Sequence, residues 1–147
     1  MNNYERTAAW LKACGKEPTD ENLSVQIGCF LEEVCEMLQT LRTSSDGYAK
    51  LIDRTTLDLE WFSKKLTSKD QSVYIPLHLR TEALDALCDI EVTLNGIAYL
   101  ANFKKSEADA LVLDSNDAKL VDGKPIMNGG KIGKPADWQA PDLKHCV

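Results

Sequence analysis

Two groups of carboxylates are the residues of this chain best suited to chemistry. The first is Glu32, Glu33 and Glu36, set in the otherwise apolar stretch FLEEVCEML at 30–38. At about 100° per residue the three glutamates share an arc of about 100° on a helix. Ile27, Phe30, Leu31, Val34, Leu38 and Leu41 take the opposite side. A solvated polar face is the ordinary reading of such a pattern. Against it, no lysine or arginine lies at helical spacing to neutralise the glutamates, and like charges one turn apart repel. The second group is Glu82, Asp85 and Asp89 in EALDALCDIEVTLNGIAYL, within an arc of about 60°. Glu91 points away from it. This second helix is apolar nearly all round, which predicts burial, and a buried carboxylate is costly unless paired or metal-bound. Two helices with facing carboxylates form an oxygen-rich site for a hard cation, Mg²⁺ first and Mn²⁺ second.

The elements that must carry these groups are helices. Residues 3–14 read as a short helix stopped by Gly15 and Pro18. PTDENLS at 18–24 is a start signal, with Thr19 or Asp20 as cap and acids in the first turn, so the second helix runs from about 21 to 42. A third covers about 46–66, with Leu51, Leu57, Leu59, Trp61, Phe62 and Leu66 as its apolar positions. TSKDQSVYIPLH at 67–78 breaks it. A fourth spans about 78–102 and a fifth about 106–119. Strand signals are weak, and SVYI at 72–75 alone qualifies. Beyond 120 glycine and proline accumulate and regular structure is not expected. Ile126, Met127, Ile132, Trp138 and Leu143 nevertheless ask for burial there. The expected fold is all-α: one domain over 1–147, a bundle of four to five helices over about 3–120, and an ordered, irregular C-terminal arm over about 121–147.

Composition narrows the function. A chain of 147 residues suits one domain, or a helical protomer that completes its core in an oligomer. A formal charge of −6 argues against a broad nucleic-acid surface. No apolar run is long enough to span a bilayer, and the charged N-terminus lacks a signal peptide's apolar core, so the expected compartment is the cytoplasm. Five cysteines without a CxxC pair read as reduced, mostly buried thiols. The apolar fourth helix needs more cover than one small chain offers, which predicts a homo-oligomer, a dimer or a tetramer.

EEVCE at 32–36 and DALCDI at 85–90 resemble the paired acidic motifs of the all-α nucleoside triphosphate pyrophosphohydrolases. That superfamily includes MazG proteins, dimeric dUTPases, dCTP pyrophosphatases and phosphoribosyl-ATP pyrophosphohydrolase, and its pattern is EExxE on one helix and ExxD on another. Glu32, Glu33 and Glu36 match the first motif. In the second, aligning the aspartate with Asp89 puts Ala86 where a glutamate is expected, with Asp85 one residue earlier. Aligning Glu82 with Asp85 restores ExxD and leaves Asp89 extra. The Asp85–Asp89 pairing is preferred, with Glu82 as a supporting group. The stretch DSNDAKLVDGKPIMNGGKIGKPADWQAPDL at 114–143 resembles the tail of a MazG-like subgroup of bacteria and bacteriophages.

The resemblance implies hydrolysis of a nucleoside triphosphate between its α and β phosphates, with Mg²⁺ or in its place Mn²⁺. It implies Glu33, Glu36, Asp85 and Asp89 as metal ligands, and Glu32 or Glu33 as the group that orients the attacking water. Asn116 and Lys119 resemble the family's phosphate contacts. Lys131, Lys134 and Trp138 lie in the arm, where the lysines are either surface residues or substrate contacts and Trp138 is first a packing anchor. Asn95 is placed to read a sugar or base edge, or to serve as an ordinary helix polar group. The subgroup points to a deoxynucleoside triphosphate such as dUTP. The alternatives are phosphoribosyl-ATP hydrolysis and a catalytically inactive, nucleotide-binding helical regulator.

Overall fold

The computed structural model describes residues 1–128 and 131–147. Among them are five α-helices: α1 (Asn3–Ala13), α2 (Asp20–Thr40), α3 (Asp46–Thr67), α4 (Arg80–Leu100) and α5 (Lys105–Asp117). The fold is mostly helical with a C-terminal tail, as the periodicity predicts. No helix among the described residues is long and apolar enough to cross a membrane. The chain divides into two compact units, Pro18–Pro76 and Met1–Glu17 with Leu77–Val147.

The first unit is the α2–α3 hairpin. Thr19 caps α2 by accepting from the Asn22 N–H, and Ser45 caps α3 by accepting from the Tyr48 N–H. Ser24, Gly28, Leu31, Cys35 and Leu38 form the covered stripe of α2, and Ile52, Thr56, Leu59, Ser63 and Leu66 that of α3. Both stripes step by four and three residues, the spacing of a coiled-coil seam. Small side chains let the backbones approach. Ser63 Oγ donates to the Gly28 carbonyl at 2.7 Å, and the Cys35 thiol donates to the Thr56 carbonyl at 3.6 Å. A Cβ at Gly28 would lie 2.7 Å from Thr67 Cγ2 and 3.0 Å from the Ser63 carbonyl oxygen.

This seam differs from the expected one. Of the apolar positions assigned to α3, Leu66 is buried and Leu59 half-buried, whereas Leu51, Leu57, Trp61 and Phe62 are exposed. Close approach at Gly28, Cys35, Thr56 and Ser63 puts small groups on the seam beside Leu59 and Leu66, and the aromatic Trp61 and Phe62 stay outside it. SVYI is not a strand. Its Val73 N–H donates to Ser24 Oγ at 2.7 Å, so a serine hydroxyl on α2 takes the place of a strand partner.

The second unit contains α1, α4, α5 and the arm. Arg6 on α1 bridges Asp114 Oδ1 at 2.8 Å and Asp117 Oδ2 at 2.6 Å on α5. A 3₁₀ turn at Leu77–Leu79 leads into α4 and another at Lys144–Cys146 closes the arm. Contrary to expectation, the arm holds regular pairs: β1 (Leu120–Val121) with β2 (Lys124–Pro125), and β3 (Met127–Asn128) with β4 (Lys131–Ile132), both antiparallel. Asp122 and Gly123 between β1 and β2 have φ of 52° and 72°. Positive φ at both residues is what a two-residue type I′ hairpin requires, and Asp-Gly is a preferred pair for it. In the arm Ile132, Trp138 and Leu143 are half-buried as expected, but Ile126 and Met127 are exposed.

Two burial expectations are corrected. In α4 Ala98 alone is buried, and Leu87 is 60% and Val92 67% exposed. An all-round apolar helix has more surface than one chain covers. All five cysteines are free, but Cys88 is exposed and Cys14 and Cys29 are half-buried; Cys35 and Cys146 are the buried ones.

Candidate functional site

The seam fixes the rotation of α2. With Ser24, Gly28, Leu31, Cys35 and Leu38 turned toward α3, Glu32, Glu33 and Glu36 are all exposed. Among the described residues Glu32 and Glu36 enter no ion pair. The charge of Glu32 is felt inside the hairpin. Burial pushes the Cys35 thiol pKa above its ordinary 9.0, and the charges of Glu60 and Glu32 push the same way.

The α4 acids belong to the other unit. Asp85 and Asp89 stand one turn apart, and they and Glu82 are exposed. None of the three enters an ion pair among the described residues. The cost of burying a carboxylate therefore does not apply to them in the single chain; what sets them apart is the row of exposed apolar neighbours, Leu84 and Leu87 among them. Asn95, further along α4, is exposed. Neither acidic row by itself brings three ligand atoms within 4.8 Å of one another.

The residues assigned to the substrate divide differently. Lys119 Nζ donates to Asn116 Oδ1 at 2.8 Å. Trp138 is half-buried, and its indole N–H donates to the Ser115 carbonyl at 2.9 Å. Lys134 Nζ lies 4.3 Å and Lys119 Nζ 5.6 Å from the centroid of the same ring. Both distances suit cation–π attraction. Asn116, Lys119, Lys134 and Trp138 thus form one cluster at the C-terminal end of α5. Trp138 is an anchor that also holds two ammonium groups in place. Lys131 lies in β4, and its side chain is outside the described residues.

Two residues that support this cluster were not singled out from the sequence. Trp10 Nε1 donates to the Asn116 carbonyl at 2.8 Å, and Arg6 holds Asp114 and Asp117. Hydrogen bonds to Asp117 and then Asp114 raise the Arg6 pKa further. Arg6 and Trp10 stand one turn apart on α1, and that spacing is the signal the sequence offers. A groove of about 700 Å³ in the α2–α3 unit was also not foreseen. Leu38, Gln39, Arg42, Thr56 and Glu60 line it, and the buried Thr56 Oγ1 has no hydrogen-bond partner among the described residues. None of the candidate catalytic, metal or substrate residues lines it.

Comparison with protein-family models, with curated proteins and with solved structures finds no match.

Proposed function

We propose that this chain is a Mg²⁺-dependent nucleoside triphosphate pyrophosphohydrolase of the cytoplasm, acting on a deoxynucleoside triphosphate. It cleaves the bond between the α and β phosphates and releases the monophosphate and pyrophosphate. The observation that carries the reading is the use made of α2. Its covered stripe, Ser24, Gly28, Leu31, Cys35 and Leu38, does not include Glu32, Glu33 or Glu36, which are exposed on one side of a long helix capped by Thr19.

The donor set fits the metal. Exposed carboxylate oxygens, in no ion pair among the described residues at Glu36, Asp85 and Asp89, are the ligands a hard cation takes. In this reading Glu33, Glu36, Asp85 and Asp89 hold the metal, with Mn²⁺ as a substitute for Mg²⁺. When bound it supplies charge neutralisation on the phosphates and a lowered pKa for water.

The chain's own groups do the rest. A carboxylate oxygen of Glu32 or Glu33 orients the attacking water and accepts its proton as the new P–O bond forms. Lys119 and Lys134 offer ammonium groups to the phosphates, and the Asn116 amide adds a neutral donor. Their contacts with Trp138 restrict both lysines, which lowers the entropy lost when a phosphate is bound. Asn95 is assigned to a sugar or base edge.

The same reading includes a homo-oligomer, a dimer or a tetramer. Leu84, Leu87, Val92 and Ile97 of α4 are exposed apolar residues on a helix whose apolar content asks for cover. A second copy supplies a surface of matching character. The function is tested by measuring pyrophosphate release from the eight common ribo- and deoxynucleoside triphosphates, with and without Mg²⁺. Tight binding of a triphosphate with no release in any arm would favour the inactive, nucleotide-binding regulator instead.

A further inference from the structure

The start of α5 and the closing turn of the arm bring together three side chains that the proposed reaction does not use. One ligand atom each of Glu107, His145 and Cys146 lies within 4.8 Å of the others. Glu107 and His145 are exposed, and Cys146 is 2% exposed. Backbone hydrogen bonds fix the two elements to each other. The Lys104 N–H donates to the Cys146 carbonyl at 2.8 Å, while the Lys104 carbonyl accepts from the Glu107 N–H at 3.1 Å. One residue thus ties the cysteine-bearing turn to the glutamate-bearing helix. The turn itself is held by the Cys146 N–H on the Leu143 carbonyl at 2.9 Å and by the Lys144 N–H on Asp142 Oδ1 at 3.1 Å. The neighbouring cation is committed elsewhere, since Lys105 Nζ sits on both Asp109 oxygens at 2.7 and 2.8 Å. Glu107 is left without an ion pair among the described residues.

We propose that Glu107, His145 and Cys146 form a binding site for a borderline divalent ion, Zn²⁺ first, separate from the Mg²⁺ chemistry proposed above. Thiolate, imidazole and carboxylate are the three ligand types zinc takes, and three protein ligands leave a fourth tetrahedral position for water. A hard cation such as Mg²⁺ is poorly served by sulfur and nitrogen, so the donor set separates this site from the carboxylates of α2 and α4. Binding costs little reorganisation, because the backbone already places the donors. Its consequence is a clip between residues 143–146 and the start of α5. Zinc that binds the folded chain alone raises its thermal midpoint by mass action.

The test uses the full chain stripped with a chelator and then titrated with Co²⁺ and Zn²⁺. Co²⁺ at the site produces a thiolate-to-metal charge-transfer band that saturates at one equivalent, and Zn²⁺ displaces it. Cys146→Ser removes the band, while Cys88→Ser, which alters the exposed cysteine, retains it. Even a lost outer-shell partner lowers metal affinity about 10–100-fold, so His145→Ala and Glu107→Gln should lower Zn²⁺ affinity at least about tenfold. Both positions are exposed, so these variants test the site even where Cys146→Ser fails to fold. The thiolate band also distinguishes the site from the carboxylate rows, which cannot give one. A band unchanged in Cys146→Ser, no saturation at one equivalent, or equal Zn²⁺ affinity in wild type and His145→Ala would mean adventitious metal only and would overturn the proposal.

Discussion

Glu36 and Asp89 are the residues at which the proposed reaction is most exposed to test. Glu36→Gln and Asp89→Asn each remove a charge and keep the shape. Each should lower turnover by more than about 100-fold, since even outer-shell groups cost up to that in metal sites. Neither should lower the stability of the metal-free protein, because both side chains are exposed and each change relieves like-charge repulsion. Isothermal titration with Mg²⁺ and steady-state rates measure both effects. The same assays decide the register of the second motif. Asp85→Asn should match Asp89→Asn, and Glu82→Gln should cost less; a loss in Glu82→Gln that exceeds the loss in Asp89→Asn would move the motif to Glu82 and Asp85. At this scale much was legible in the sequence. Asn116, Lys119, Lys134 and Trp138 were singled out with the help of the resemblance, and they lie together in the fold. Arg6 and Trp10 were not, because their partners are more than a hundred residues away and no local pattern reports such a pairing.

A second residue-scale outcome concerns Cys35. Its folded pKa is raised, with desolvation the largest cause. The folded chain therefore holds the thiol proton more tightly than the unfolded chain. The resulting stability is fully present below the ordinary thiol value of 9.0. It is lost as pH rises through the folded value. Urea unfolding from pH 8 to pH 10 should show a decline that is shallower in Cys35→Ala, although that variant starts lower because it loses a buried group. Equal slopes in the two proteins would contradict the burial argument.

Among the elements, the α2–α3 hairpin is the one whose packing makes the sharpest demand. Gly28→Ala puts a methyl group 3.0 Å from the Ser63 carbonyl oxygen and 3.2 Å from Leu66 Cβ, in addition to the Thr67 methyl. Thr67 can rotate away, but the backbone carbonyl cannot. Overpacking of this kind costs about 1–3 kcal/mol, and chemical denaturation should show a loss in that range. No loss would mean that the helices separate freely. The start of α2 was legible because capping chemistry is local, as at Thr19. The face α3 turns inward was not. Periodicity analysis weights large apolar residues, whereas this seam alternates leucine and isoleucine with glycine, serine, threonine and cysteine. The β1–β2 hairpin was legible in principle: Asp122-Gly123 is a local turn signal, though the surrounding glycine and proline suggested irregular structure.

For the whole molecule, the apolar surface of α4 sets the expectation. Leu84, Leu87, Val92 and Ile97 are exposed in the single chain. Sedimentation at micromolar concentration should therefore give a dimer or a tetramer, and Leu87→Glu should shift it toward monomer. An active wild-type monomer at that concentration would contradict the assembly. The sequence already marked α4 as a helix in need of cover. It could not say which α4 residues stay exposed in the single chain, because an apolar pattern is the same whether the partner surface lies in one molecule or in two. Both acidic rows enter the central claim, since the proposed chemistry needs carboxylates from α2 and from α4. The most direct measurement is pyrophosphate release from dUTP and the other common triphosphates by the purified chain. The account predicts release that requires Mg²⁺, favours a deoxynucleoside triphosphate, leaves the monophosphate as the second product and is abolished in Glu36→Gln. No release from any triphosphate in the presence of Mg²⁺, or release unchanged by Glu36→Gln, would contradict it.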